Sequence, residues 1–101
     1  LNLKLITIFM LAIFPLITSA KTPWPKIVQD DYRQLCTNSL LSQKIESNKA
    51  ELFCHCFAYG LSSEFGLEEY QIVREVQPNA NGSEIERRLY RVMEKCANTL
   101  G

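Results

Sequence analysis

The chain has 101 residues, 47% of them hydrophobic, four cysteines and a formal charge of zero. That length holds one domain. The balanced charge argues against a general binder of nucleic acid or anionic membrane, which needs a basic excess to displace counterions.

The first twenty residues read as an address. Lys4 gives a positive start, Leu5 to Ile17 is an apolar run broken by Thr7 and Pro15, and Thr18-Ser19-Ala20 ends in small residues. This is the layout of a secretory signal peptide cleaved after Ala20, and the run is short for a membrane span. Residues 1–20 are thus expected to be a signal peptide and 21–101 the helical domain. Without Lys4, 10 basic and 11 acidic residues remain, a charge of −1. A chain of about 80 residues has a marginal core and often needs covalent staples.

Thr22 is placed to cap a first helix, with Pro23 at its opening position, and Trp24 reads as a lid on the core or as a partner contact. The helix is expected over 25–41, with Val28, Tyr32, Leu35, Cys36 and Ser39 or Leu40 on its apolar stripe. A turn falls within 42–48, although neither Gly nor Pro marks it. A second helix, 49–64, presents Leu52, Phe53, Cys56, Phe57, Gly60 and Leu61. Gly60 offers a place for another helix to come close, and Gly66 reads as a left-handed stop. A short third helix, 67–77, starts with Glu68 and Glu69 at its positive end, turns Tyr70, Val73 and Val76 inward, and ends at Pro78. After the turn Asn79-Ala80-Asn81-Gly82, Ser83 with Glu86 forms a capping box. It opens a fourth helix striped by Ile85, Leu89, Val92, Met93, Cys96 and Leu100.

All four cysteines lie beyond residue 20, an even count that points to two disulfides formed in an oxidising compartment. Cys54 and Cys56 are two apart, so on a helix they point about 200° from each other and cannot serve one neighbour. Two pairings remain, 36–54 with 56–96 or 36–56 with 54–96. They differ by only about 0.1 kcal/mol in loop-closure entropy. A hairpin pivoting near Ile45 sets Cys36 opposite Cys54 and leans toward the first, but both stay open. A thiol-redox or metal centre at Cys54-His55-Cys56 is the competing reading. However, C-x-C diverges on a helix and His55 faces away from the apolar side.

The chain contains no G-x-S-x-G, H-E-x-x-H or phosphate-cradling glycine loop. The acid pairs Asp30-Asp31 and Glu68-Glu69 sit near helix starts, where the dipole favours them. No catalytic residue, metal or cofactor is assigned. Arg87, Arg88, Arg91 and Lys95 line the fourth helix. Arg88, Arg91 and Lys95 share a face suited to an acidic partner, with Glu84 in reach of Arg87 or Arg88. Asn81-Gly82-Ser83 also matches the N-glycosylation tripeptide.

Tyr32 four residues before Cys36, the Cys54/Cys56 pair, Phe65 followed by Glu68-Glu69, and the late Cys96 together resemble a loose group of small exported bacterial proteins of unassigned function. The resemblance implies a helical periplasmic or secreted domain and carries no catalytic residue. Mature size and helical content are also similar to acid-stress periplasmic chaperones, which carry two cysteines rather than four. The expectation is an all-α bundle of four short helices stapled by two disulfides. It would act as an exported, non-enzymatic binding protein on an envelope or extracellular partner, with no nucleic acid and no stable membrane association; a secreted effector-like factor is the alternative beside the redox or metal centre. Cys36, Cys54, Cys56 and Cys96 are its staples, and Trp24, Arg88, Arg91 and Lys95 its candidate contacts.

Overall fold

The computed structural model describes residues 21–100, and the run read as a signal peptide lies outside them. Helix α1 spans Lys26–Ser42 and α2 spans Ser47–Glu64; a 3-10 turn, Leu67–Glu69, leads into α3, Tyr70–Glu75; α4 spans Glu84–Cys96 and ends in a second 3-10 turn, Ala97–Thr99. The fold is all-α, four short helices stapled by two disulfides.

Helix α2 is the central element because its sequence is apolar on two sides. Ala50, Phe53, Cys54, Phe57, Ala58 and Leu61 are all buried. Leu52, expected on that face, is 61% exposed. The stripe turns at 3.6 residues per turn, and Leu52 lies on the far side of the helix from Ala50 and Cys54.

Helix α1 contributes no fully buried residue. It lays Val28, Tyr32, Cys36 and Leu40 against the core, while Leu35 is exposed. The hairpin between α1 and α2 closes through Ile45 N–H donating to Leu40 O and Lys44 N–H to Leu41 O. That is a Schellman motif, with Lys44 at its left-handed position (φ 66°).

The third helix, expected over 67–77, is reduced to Tyr70–Glu75 with Val76 already extended, and two expected helix caps change. Thr22 does not cap α1, whose N-cap is Pro25 with no side-chain bond. Instead the Thr22 carbonyl accepts from Leu67 N–H at 2.8 Å, pinning the extended N-terminal segment to the 3-10 turn. Gly66 is extended (φ −78°) rather than left-handed. A Cβ there would meet only the carboxylate end of the exposed Glu68 side chain, so neither the backbone angle nor packing demands glycine at this position.

The capping box at α4 forms as expected: Ser83 N–H donates to Glu86 Oε1 at 2.9 Å and Glu86 N–H to Ser83 Oγ at 3.3 Å. Leu89, Val92 and Cys96 are buried along α4. The core gathers Phe53, Phe57, Leu61, Phe65, Val73 and Leu89 under the lid of Trp24. Among the described residues, no helix is long and apolar enough to cross a membrane.

Candidate interaction face

The disulfides decide which surfaces of α2 are shared and which are free. Cys36 bonds to Cys54 and Cys56 to Cys96, with Cα atoms 5.6 and 5.8 Å apart. The pairing favoured by the hairpin pivot is the one that forms, and 36–56 with 54–96 is excluded. Cys54 therefore faces α1, and Cys56 faces α4. None of the four is a free thiol. Among the described residues, no group of three or more His, Cys, Asp or Glu is arranged to hold a metal ion. His55 is exposed.

Helices α2 and α4 run antiparallel along a close seam. Besides the Cys56–Cys96 bond, a Cβ on Gly60 would lie 2.6 Å from Val92 Cγ1, so these backbones approach where glycine leaves room. One turn before Cys56 stands Leu52, and about one turn after it Tyr59, 61% and 67% exposed. Helical rotation sets both on the side of the seam opposite Phe53 and Phe57. On α4, the same rotation sets Arg88, Arg91 and Lys95 on the side opposite Met93, which packs on the core. For two antiparallel right-handed helices with one core between them, those two outward sides coincide. Leu52 and Tyr59 thus share a face with the basic residues of α4, with the Cys56–Cys96 bond between them.

Arg88 is not a free member of that face. Its side chain is 18% exposed, with Nε 3.1 Å from Glu64 Oε1 and Nη1 3.5 Å from Glu69 Oε2. Its Nη2 donates to the Glu64 carbonyl at 3.1 Å, and the guanidinium lies 4.2 Å from the Phe65 ring centroid. Its partners are these glutamates, not Glu84, because α4 starts beside the C-terminal end of α2. Arg91 and Lys95 remain exposed.

Trp24 is likewise not available as a surface contact. It is 4% exposed and packs edge-on against Tyr70 at 4.9 Å and Tyr32 at 6.2 Å. Its Nε1 is buried, and no described residue accepts a hydrogen bond from it. Burial pushes the Tyr32 hydroxyl up to about 12 from an ordinary 10.0. Tyr70 rises to about 12 through burial and through donating to Asp31 Oδ2 at 2.6 Å.

A concavity of about 710 Å³ lies between α1 and the start of α2 and is lined by Asp30, Arg33, Gln34, Thr37, Asn38, Leu41 and Glu51. Its Asp30 is already engaged: the Lys26 ammonium, at 2.8 Å, and Arg33, at 3.3 Å, hold its carboxyl below the usual range. Among the described residues no polar side chain is buried there, whereas the α2–α4 face sets exposed Leu52 and Tyr59 beside Arg91 and Lys95, neither of which forms an ion pair with a described residue. The apolar face expected of α2 includes Leu52 and omits Tyr59. The signal that could have found them is their seven-residue spacing about Cys56. Scans against family models and searches of curated proteins and solved structures found no match for this chain.

Proposed function

We propose that this is an exported, non-enzymatic interaction protein that docks an acidic, partly apolar segment of a partner protein on the outward face of the α2–α4 seam. The observation that carries the reading is the placement of Leu52, Tyr59, Arg91 and Lys95 on one side of two helices locked by the Cys56–Cys96 disulfide. Exposed aromatic and aliphatic side chains beside cations suit such a segment: apolar anchors supply most of the affinity, and charge supplies orientation and encounter rate. Locking the helices in register lowers the ordering cost of binding. Export is supported by the apolar N-terminal run with its small-residue end and by two disulfides, which persist in oxidising compartments.

A photo-crosslinking residue placed at position 59, in cells that make the protein, tests the face. It should yield a discrete adduct that weakens when Arg91 and Lys95 are both changed to Glu. The same residue at the exposed Ile72 of α3 should yield none. Equal adducts from both positions, or an adduct indifferent to the charge reversal, would refute the site. A secreted or periplasmic product beginning at Lys21 supports export, and retention of an intact chain in the cytosol counts against it.

A further inference from the structure

We propose that Asn81 is a site of spontaneous deamidation, which turns the loop before α4 into a mixture of aspartyl and isoaspartyl forms. The proposal is independent of the interaction face. Asn81 is exposed, no described residue holds its carboxamide by a hydrogen bond, and the residue after it is glycine.

In the reaction the Gly82 backbone nitrogen attacks Asn81 Cγ, a C–N bond forms, and the side-chain nitrogen leaves as ammonia. Water then opens the resulting succinimide at either carbonyl. One opening gives aspartate; the other routes the main chain through the side-chain carbonyl as isoaspartate. One water is consumed, one ammonia is released, and nothing is oxidised or reduced. A side chain on the following residue hinders the attack, so an Asn followed by Gly is the fast case. Asn38, Asn48, Asn79 and Asn98 precede Ser, Lys, Ala and Thr, and the first two lie within helices.

The fold explains why glycine stands at position 82. A Cβ there would lie 2.7 Å from Glu86 Oε1 and 2.8 Å from Glu86 Cδ. Glu86 occupies that space because it folds back to accept the Ser83 N–H. The capping box therefore favours a residue without a side chain just before Ser83, and the asparagine ahead of it inherits an unshielded nucleophile. One bond opposes the reaction: Gly82 N–H donates to Asn79 O at 3.2 Å. It lies in an exposed turn, the kind of bond that opens locally at little cost.

The two products differ in consequence. An aspartate at 81 places a carboxylate near the positive end of α4 and close to Arg87, whose Nη1 donates to Gly82 O at 2.8 Å. An isoaspartate inserts a methylene into the main chain between Asn81 and the cap, displacing Gly82 and Ser83 from Arg87 and Glu86.

Incubation of the full disulfide-bonded protein at mildly alkaline pH, followed by peptide mass spectrometry and an isoaspartyl methyltransferase assay, tests this. Conversion at Asn81 should outrun that at every other described asparagine by an order of magnitude. Asn81→Gln should abolish the acidic charge variant. The isoaspartyl fraction, separated by ion exchange, should melt below the Asn81→Asp variant. Asn81 remaining intact after the denatured, reduced chain has half converted would overturn the proposal, as would another asparagine leading.

Discussion

At position 44 a lysine adopts the left-handed backbone that terminates α1. Glycine reaches that conformation without a Cβ clash, which costs other residues about 1–2 kcal/mol. The Schellman bonds from Lys44 and Ile45 hold it there. Lys44→Gly should therefore raise stability by about 0.5–1 kcal/mol and the melting temperature by a few degrees; an unchanged or lower melting temperature would show that the loop is not strained. Tyr32 gives the residue scale a pH signature. Its hydroxyl is held up to about 12 against 10.0 when free, so the folded state keeps a proton that the unfolded chain releases. The stabilisation is complete below pH 10 and is lost as pH rises toward 12. Tyr70 adds to the loss in the same direction. Tyr32→Phe should lose less stability across that interval, by an amount on the order of 2 kcal/mol. Urea titrations at a series of pH values measure the difference.

Among the elements, α2 and α4 are set against each other by a glycine. An alanine at 60 gains about 1 kcal/mol of helix propensity but drives its methyl into Val92 Cγ1, 2.6 Å away. Overpacking typically costs about 1–3 kcal/mol, so Gly60→Ala should be net destabilising, and Val92→Ala in the same chain should recover part of the loss. A strictly additive double mutant would mean that the two helices do not meet there. The C-terminal end of α2 has no basic residue in its own last turn. Its Glu64 carbonyl instead accepts from Lys21 Nζ at 2.8 Å and Arg88 Nη2 at 3.1 Å. Cations distant in the chain do the work that a local lysine does in an isolated helix. That is why Arg88 belongs to the fold rather than to the docking face.

For the whole molecule, the two disulfides tie α2 to both of its neighbours. They span 18 and 40 residues, which corresponds to about 3 and about 4 kcal/mol of loop-closure entropy removed from the unfolded chain. Both are comparable with the net stability of a small domain. Replacing Cys56 and Cys96 together by Ser should lower the melting temperature by well over ten degrees, since about 1 kcal/mol shifts a domain of this size by 4–8 °C. The Cys36/Cys54 pair should cost less. A shift of a degree or two for the 56/96 pair would show that the staple is dispensable. Thiol titration of the oxidised protein in denaturant, expected to find no free thiol until reductant is added, checks the bonding directly.

Four helices, the α4 capping box, the inward sides of α3 and α4, and the division of Cys54 and Cys56 between two neighbours are properties of local spacing. Periodicity of 3.6 and the geometry of caps act within a few residues, so the chain alone determined them. The choice between two disulfide pairings, the exposure of Leu52 and Tyr59, the withdrawal of Trp24 and Arg88 from the surface, and the extended backbone of Gly66 depend on contacts between residues such as Arg88 and Glu64, 24 positions apart. A helical wheel says which residues share a side of one helix. Which side meets a neighbour, and which is left to solvent, is decided only when the helices pack.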